Sequence, residues 1–238
     1  MDLARRPSLY GFVICLSILP MYGNIITVGT TAAGTGNCLP FGCPNTDVGL
    51  GAPILEYQQV YSASAFSGAM LINGVVFYNT QFRPGLDSIT SGSYLITLST
   101  TTKAVGGLSS TLSSNLGVDQ STIFSGSISG TVPLAGIELS GGSFNYNPAN
   151  GNLLLDIIIS SLGVNGNIFL DTQVIAGNTT SSRAERTPTS SSQIASSGLV
   201  TGFDFTPVPE PKTSILLGTS LVVLFMLRRL TGQFQSKL

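Results

Sequence analysis

Phe144-Asn145-Tyr146-Asn147-Pro148-Ala149-Asn150-Gly151-Asn152-Leu153-Leu154-Leu155-Asp156 is the stretch that decides the fold class. Its first residues alternate aromatic and polar, its last open an apolar run, and the Pro and the Asn-Gly between them are turn formers. Strand, turn, strand is the reading. The same grammar recurs along the chain, with runs rich in Ile, Val, Tyr, Phe and Thr at 54–62, 70–81, 93–100, 121–129, 137–147, 152–160, 167–175 and 198–206, separated by Gly, Asn, Pro and Ser. Three Asn-Gly pairs, Asn73-Gly74, Asn150-Gly151 and Asn165-Gly166, supply the residues that two-residue hairpin turns demand. Leu108 to Leu116 is the one place where a short helix fits. About eight half-apolar strands closed by tight turns bury their faces most simply as an all-β antiparallel β-sandwich, of jelly-roll type.

This β body, residues 24–206, carries nine acids against four bases, a balance of −5. The whole chain has 238 residues, a net charge of −1 and only 9% charged residues, against a usual share of about a quarter. No block of Lys or Arg is present, so nucleic acid is excluded as a partner. The sequence contains no His and no Trp, which removes every imidazole mechanism and the best residue for stacking on sugars. Nothing in it calls for a cofactor.

The candidate chemistry is correspondingly thin. Lys103 is the body's only lysine, and Thr100-Thr101-Thr102-Lys103 imitates a Ser-x-x-Lys arrangement but ends a strand where that motif needs a helix start. Asp156 and Asp171 are the best pair of carboxylates for a glycosidase or a Ca²⁺ site. Closing their strands at Gly163-Val164 sets them directly opposite, whereas closing at Asn165-Gly166, the stronger turn signal, sets Asp156 against Ile175. The second register is favoured, and with it a structural carboxylate on the same strand face as Leu154 and Ile158. Tyr57 and Tyr61 on one strand, with Phe77, Tyr78 and Phe82 after them, form either a sugar-stacking platform or sandwich core, and two-residue spacing favours core. Cys38 and Cys43 in Cys-Leu-Pro-Phe-Gly-Cys read as a local disulfide worth about 2 kcal/mol. The Ser/Thr-dominated 178–197 lacks apolar periodicity and reads as an exposed mobile loop, its Asn178-Thr179-Thr180 sequon as plain loop composition.

The two ends differ from the body. Arg5 and Arg6 precede an uncharged run over 9–19, then Pro20, Gly23 and Asn24. Eleven apolar residues are too few to span a bilayer, and the order basic, apolar, polar makes residues 1–23 a secretory signal peptide. At the far end Val208-Pro209-Glu210-Pro211-Lys212 precedes fifteen uncharged residues over 213–227, closed by Arg228-Arg229. Fifteen helical residues reach about 22 Å, short of a hydrocarbon core of roughly 30 Å, so this transmembrane helix needs Lys212 and Arg228 to snorkel. The arginine pair keeps 231–238 cytoplasmic and the body outside.

The tail Val208-Pro209-Glu210-Pro211, a short hydrophobic helix, and Arg228-Arg229 resembles the PEP-CTERM protein-sorting signal of Gram-negative bacteria. The resemblance covers residues 207–230 and departs in a longer tail and in Gly218-Thr219-Ser220 at mid-helix. It implies processing by exosortase, a membrane-embedded transpeptidase-like protease of cells that make extracellular polysaccharide. The stretch 144–156 and the final strand 198–206 loosely resemble exported proteins of that group. The expectation is a non-enzymatic, exported cell-surface or matrix-associated protein whose partners are the membrane, exosortase and extracellular polysaccharide. Its alternatives are a carbohydrate-binding module and a secreted hydrolase.

Overall fold

The computed structural model describes residues 24–30, 36–42, 54–81, 85–132, 136–173, 180–187 and 193–208. Within them the chain is almost entirely strand: β1 (Asn24–Val28), β2 (Gly36–Asn37), β3 (Glu56–Tyr61), β4 (Met70–Phe77), β5 (Ser88–Thr101), β6 (Ser121–Thr131), β7 (Ile137–Tyr146), β8 (Asn152–Ser160), β9 (Leu170–Gln173), β10 (Ser181–Arg186), β11 (Gln193–Ala195), β12 (Gly198–Leu199) and β13 (Thr201–Pro207). Every run expected to be a strand contains one. The described pairings are antiparallel, in a six-stranded sheet β11-β10-β3-β8-β5-β6, a four-stranded sheet β1-β13-β4-β7 and a small sheet β12-β9-β2. The fold is all-β.

Strand alternation builds the core. On β8, Leu153, Leu155, Ile157 and Ile159 face inward, as do Tyr57 and Tyr61 on β3 and Ile96 and Leu98 on β5. Ile72, Val75 and Phe77 of β4, Phe144 and Tyr146 of β7 and Phe203 of β13 join them from the four-stranded sheet. Aromatic rings stitch the core: Tyr61 of the six-stranded sheet meets Phe203 of the four-stranded sheet edge-on with centroids 5.0 Å apart, and Phe66, on the connection between β3 and β4, meets Tyr146 at the same distance. Gln59 of β3 acts as a surrogate strand backbone in this interior, donating to the Leu199 carbonyl (2.8 Å) while its Oε1 accepts from Leu199 N–H (2.8 Å) and Tyr57 O–H (2.6 Å).

The outer face of the six-stranded sheet is also roofed. Leu108 and Leu112, on the segment between β5 and β6, pack on Val60, Leu154 and Ala184 to make a second apolar cluster. Asn115 pins this roof: its Nδ2 donates to Gln58 Oε1 (2.8 Å) and to the Ser109 carbonyl (3.0 Å), and its Oδ1 accepts from Ser109 N–H (2.8 Å). The helix expected over Leu108 to Leu116 is therefore a single 3-10 turn, Leu112–Asn115, held by side-chain bonds rather than by a helical ladder.

None of the three Asn-Gly pairs closes a hairpin. Asn73-Gly74 lies inside β4, where Asn73 is passed over by the register on both neighbours. Asn150-Gly151 does turn the chain, with Asn147 Oδ1 accepting from Ala149 N–H (3.0 Å) and Gly151 at φ 146°, but β7 and β8 belong to different sheets. Asn165-Gly166 joins β8 to β9, which do not pair; Gly166 is needed because a Cβ there would lie 2.2 Å from Thr90 N. The expected loop 178–197 is corrected as well. It contains β10, an interior strand between β11 and β3, in which Ser181, Ser182, Ala184 and Glu185 are all buried, together with β11.

Candidate functional site

Asp156 projects from the outer face of β8, between Gln58 of β3 and Thr97 of β5. It is only 2% exposed. Gln58 Nε2 donates to Asp156 Oδ1 (3.2 Å), to the Leu112 carbonyl (3.2 Å) and, at 3.4 Å, to Glu56 Oε1. Glu56 is diagonal to Asp156 across the β3–β8 ladder, and its Oε2 accepts from Arg186 Nη2 (2.7 Å) and Nε (3.2 Å). Burial, and after it the Glu56 charge, pushes the Asp156 carboxyl up to about 6, against the lowering effects of the Gln58 hydrogen bond and Arg186. Two neighbouring acids thus have different surroundings: Glu56 is paired with a guanidinium, and Asp156 is desolvated.

Asp156, Glu56 and Arg186 line a cleft of about 680 Å³, inside the range of roughly 300–1,000 Å³ common to small-molecule sites. Leu95, Ile158, Leu112 and Leu116 supply apolar wall, and Thr97, Thr111, Ser113, Gln120 and Thr122 supply hydroxyls and an amide. Gln120 Nε2 donates to Thr97 Oγ1 (2.7 Å), which fixes one rim. The pinned 3-10 turn at Leu112–Asn115 fixes the other.

The two acids paired in the sequence reading are apart. Asp171 is on β9 in the small sheet, opposite Gly36, with Oδ1 accepting from Thr80 N–H (3.0 Å) and Thr80 O–H (2.8 Å). Neither proposed hairpin brings it to Asp156, so the Ca²⁺ and glycosidase pairings of Asp156 with Asp171 fall. Among the described residues no group of three or more His, Cys, Asp or Glu could hold a metal. The stacking platform falls too. Tyr57, Tyr61 and Phe77 are wholly buried in the core, and burial raises the Tyr57 and Tyr61 hydroxyls above their ordinary range; Phe82 lies outside the described residues. Lys103 uses its backbone N–H on Thr101 Oγ1 (3.2 Å) and its carbonyl on Asn152 Nδ2 (2.8 Å). Thr101 O–H in turn donates to the Asn115 carbonyl (2.7 Å), which makes it a structural hydroxyl.

Cys38 is disulfide-bonded, and Cys43 lies outside the described residues. So do Arg5, Arg6, Pro209, Glu210, Pro211, Arg228, Arg229 and the segments 1–23 and 213–227. Val208, the last described residue, is 42% exposed just beyond the end of β13. Among the described residues no helix is long and apolar enough to cross a membrane.

Of the cleft residues, only Asp156 carried a sequence signal, as an acid on an apolar strand face. Gln120 carried none, nor did Gln58, which holds Asp156 from beside it, and the loop expectation over 178–197 hid Arg186. No family model matches the chain, and no curated protein and no solved structure matches it.

Proposed function

We propose that the chain is an exported, non-catalytic protein of the cell surface or extracellular matrix, sorted through its C-terminal signal and processed by exosortase. The observation that carries this reading is the ordered tail Val208-Pro209-Glu210-Pro211, apolar 213–227 and Arg228-Arg229 behind an N-terminal basic-apolar-polar leader. The fold is compatible with it. β13 is an interior strand of the four-stranded sheet and the last of the described strands; it ends at Pro207, and Val208, the first residue of the sorting motif, is at the surface. A protease acting at that motif would leave the described strands intact. The finer architecture we propose for the body is a β-sandwich of jelly-roll type, its two larger sheets closing on the shared core.

The test is Glu210→Ala in the full chain, expressed in a cell that makes exosortase. Full-length protein accumulating in the membrane fraction is expected. A mass and location identical to the unchanged chain would remove the processing claim.

A further inference from the structure

We propose that the cleft above Asp156 binds a short neutral saccharide, gripping its hydroxyls by hydrogen bonds and its C–H faces on aliphatic side chains. The inference goes beyond the sorting reading and does not depend on it.

The groups converging on the cleft are mixed in a particular way. At its floor Asp156 is nearly inaccessible as a residue, Gln58 donates to Oδ1, and no hydrogen bond from the described residues reaches Oδ2. A carboxylate oxygen with spare lone pairs on a cleft is an acceptor that a bound donor can complete. At the rim, Arg186 spends Nε and Nη2 on Glu56, and its side chain is 47% exposed, which leaves Nη1 as a donor. Thr111, Ser113 and Thr122 add hydroxyls that both donate and accept, while Leu95 and Ile158 offer aliphatic surface. A sugar hydroxyl is the ligand group that donates and accepts at once, and a pyranose ring presents C–H faces beside it.

The same geometry rejects the rivals. A divalent cation needs several uncommitted oxygens, but both Glu56 oxygens are already engaged, by Arg186 and by Gln58, so Asp156 stands alone as a charged ligand. A glycosidase needs a second carboxylate free to act as nucleophile or base, and Glu56 is held by a guanidinium.

The experiment is titration of the full chain, in a sugar-free zwitterionic detergent, with maltose, cellobiose and N,N′-diacetylchitobiose. Saturation-transfer NMR and calorimetry would follow binding, with glucosamine, glucuronate and calcium chloride run in parallel. At least one neutral disaccharide should bind. Thr122→Trp, at an exposed strand position that opens on the cleft, should abolish that binding. Asp156→Asn should weaken it at least about tenfold, because the amide keeps the Gln58 bond and withdraws the acceptor. Unfolding curves of both variants establish that the fold is retained. Absence of binding by all three disaccharides would overturn the proposal, as would binding unaffected by either variant or a preference for calcium or glucosamine.

Discussion

Replacing Asp156 by Asn should stabilise the protein at neutral pH and erase part of its pH dependence. The carboxyl titrates at about 6 in the folded chain against 3.8 for an unperturbed group, so the folded state holds the proton more tightly than the unfolded state. The resulting stability is complete below about pH 4 and is lost as pH rises through about 6. The two values correspond to about 3 kcal/mol at most between the acid and neutral limits. Asn is isosteric, keeps an oxygen for Gln58 Nε2 and never ionises. The variant should therefore match the parent near pH 4 and exceed it by about 2–3 kcal/mol near pH 8, or about 4–12 °C in midpoint for a fold of this size. Urea unfolding followed by tyrosine emission suits the chain, which has seven Tyr and no Trp. Equal pH dependence of parent and variant, or a variant weaker than the parent near pH 8, would refute the assignment of a desolvated carboxylate.

Other substitutions probe the frame around the site. Gln59→Leu would strand the buried Tyr57 hydroxyl and the Leu199 N–H and leave the Leu199 carbonyl with the Thr201 hydroxyl, and at about 1–3 kcal/mol for each stranded group the loss should reach about 2–5 kcal/mol in urea unfolding. Gly142→Ala sets a Cβ 2.0 Å from the Thr122 carbonyl oxygen, where β7 crosses β6 backbone to backbone; a loss of about 1–3 kcal/mol or more is expected, and an unchanged midpoint would contradict that approach. Asn115→Ala releases three hydrogen bonds, one that ties the roof to Gln58 of β3 and two that hold Ser109 within it, so amide exchange at Ser109 should accelerate well ahead of exchange in β8.

The strands were legible because their residues announce themselves locally: β-branched and aromatic runs bounded by Gly, Asn and Pro. Pairing was not. Asn-Gly predicts neighbours in one sheet, yet the chain passes between sheets at Asn150-Gly151 and between the larger and smaller sheets at Asn165-Gly166, so partners are decided by the shared core. That error misplaced Asp171 relative to Asp156. Ser181 to Arg186 looked like loop because Ser and Arg have no apolar periodicity, but tertiary pairing on β3 buries four of its six residues and carries Arg186 to Glu56. The odd position of Asp156 beside Leu154 and Ile158 was visible in the sequence, and the explanation lies in the segment that roofs that face. Tyr57 and Tyr61 followed their two-residue spacing into the core.

The most direct test of two export addresses flanking a β body is the intact mass, with terminal sequencing, of the protein recovered from the envelope and medium of a cell that carries exosortase. The account predicts a first residue near Asn24 and a chain that ends at the Val208-Pro209-Glu210-Pro211 motif, without the apolar 213–227. An intact molecule of 24.7 kDa confined to the cytosolic fraction would contradict it.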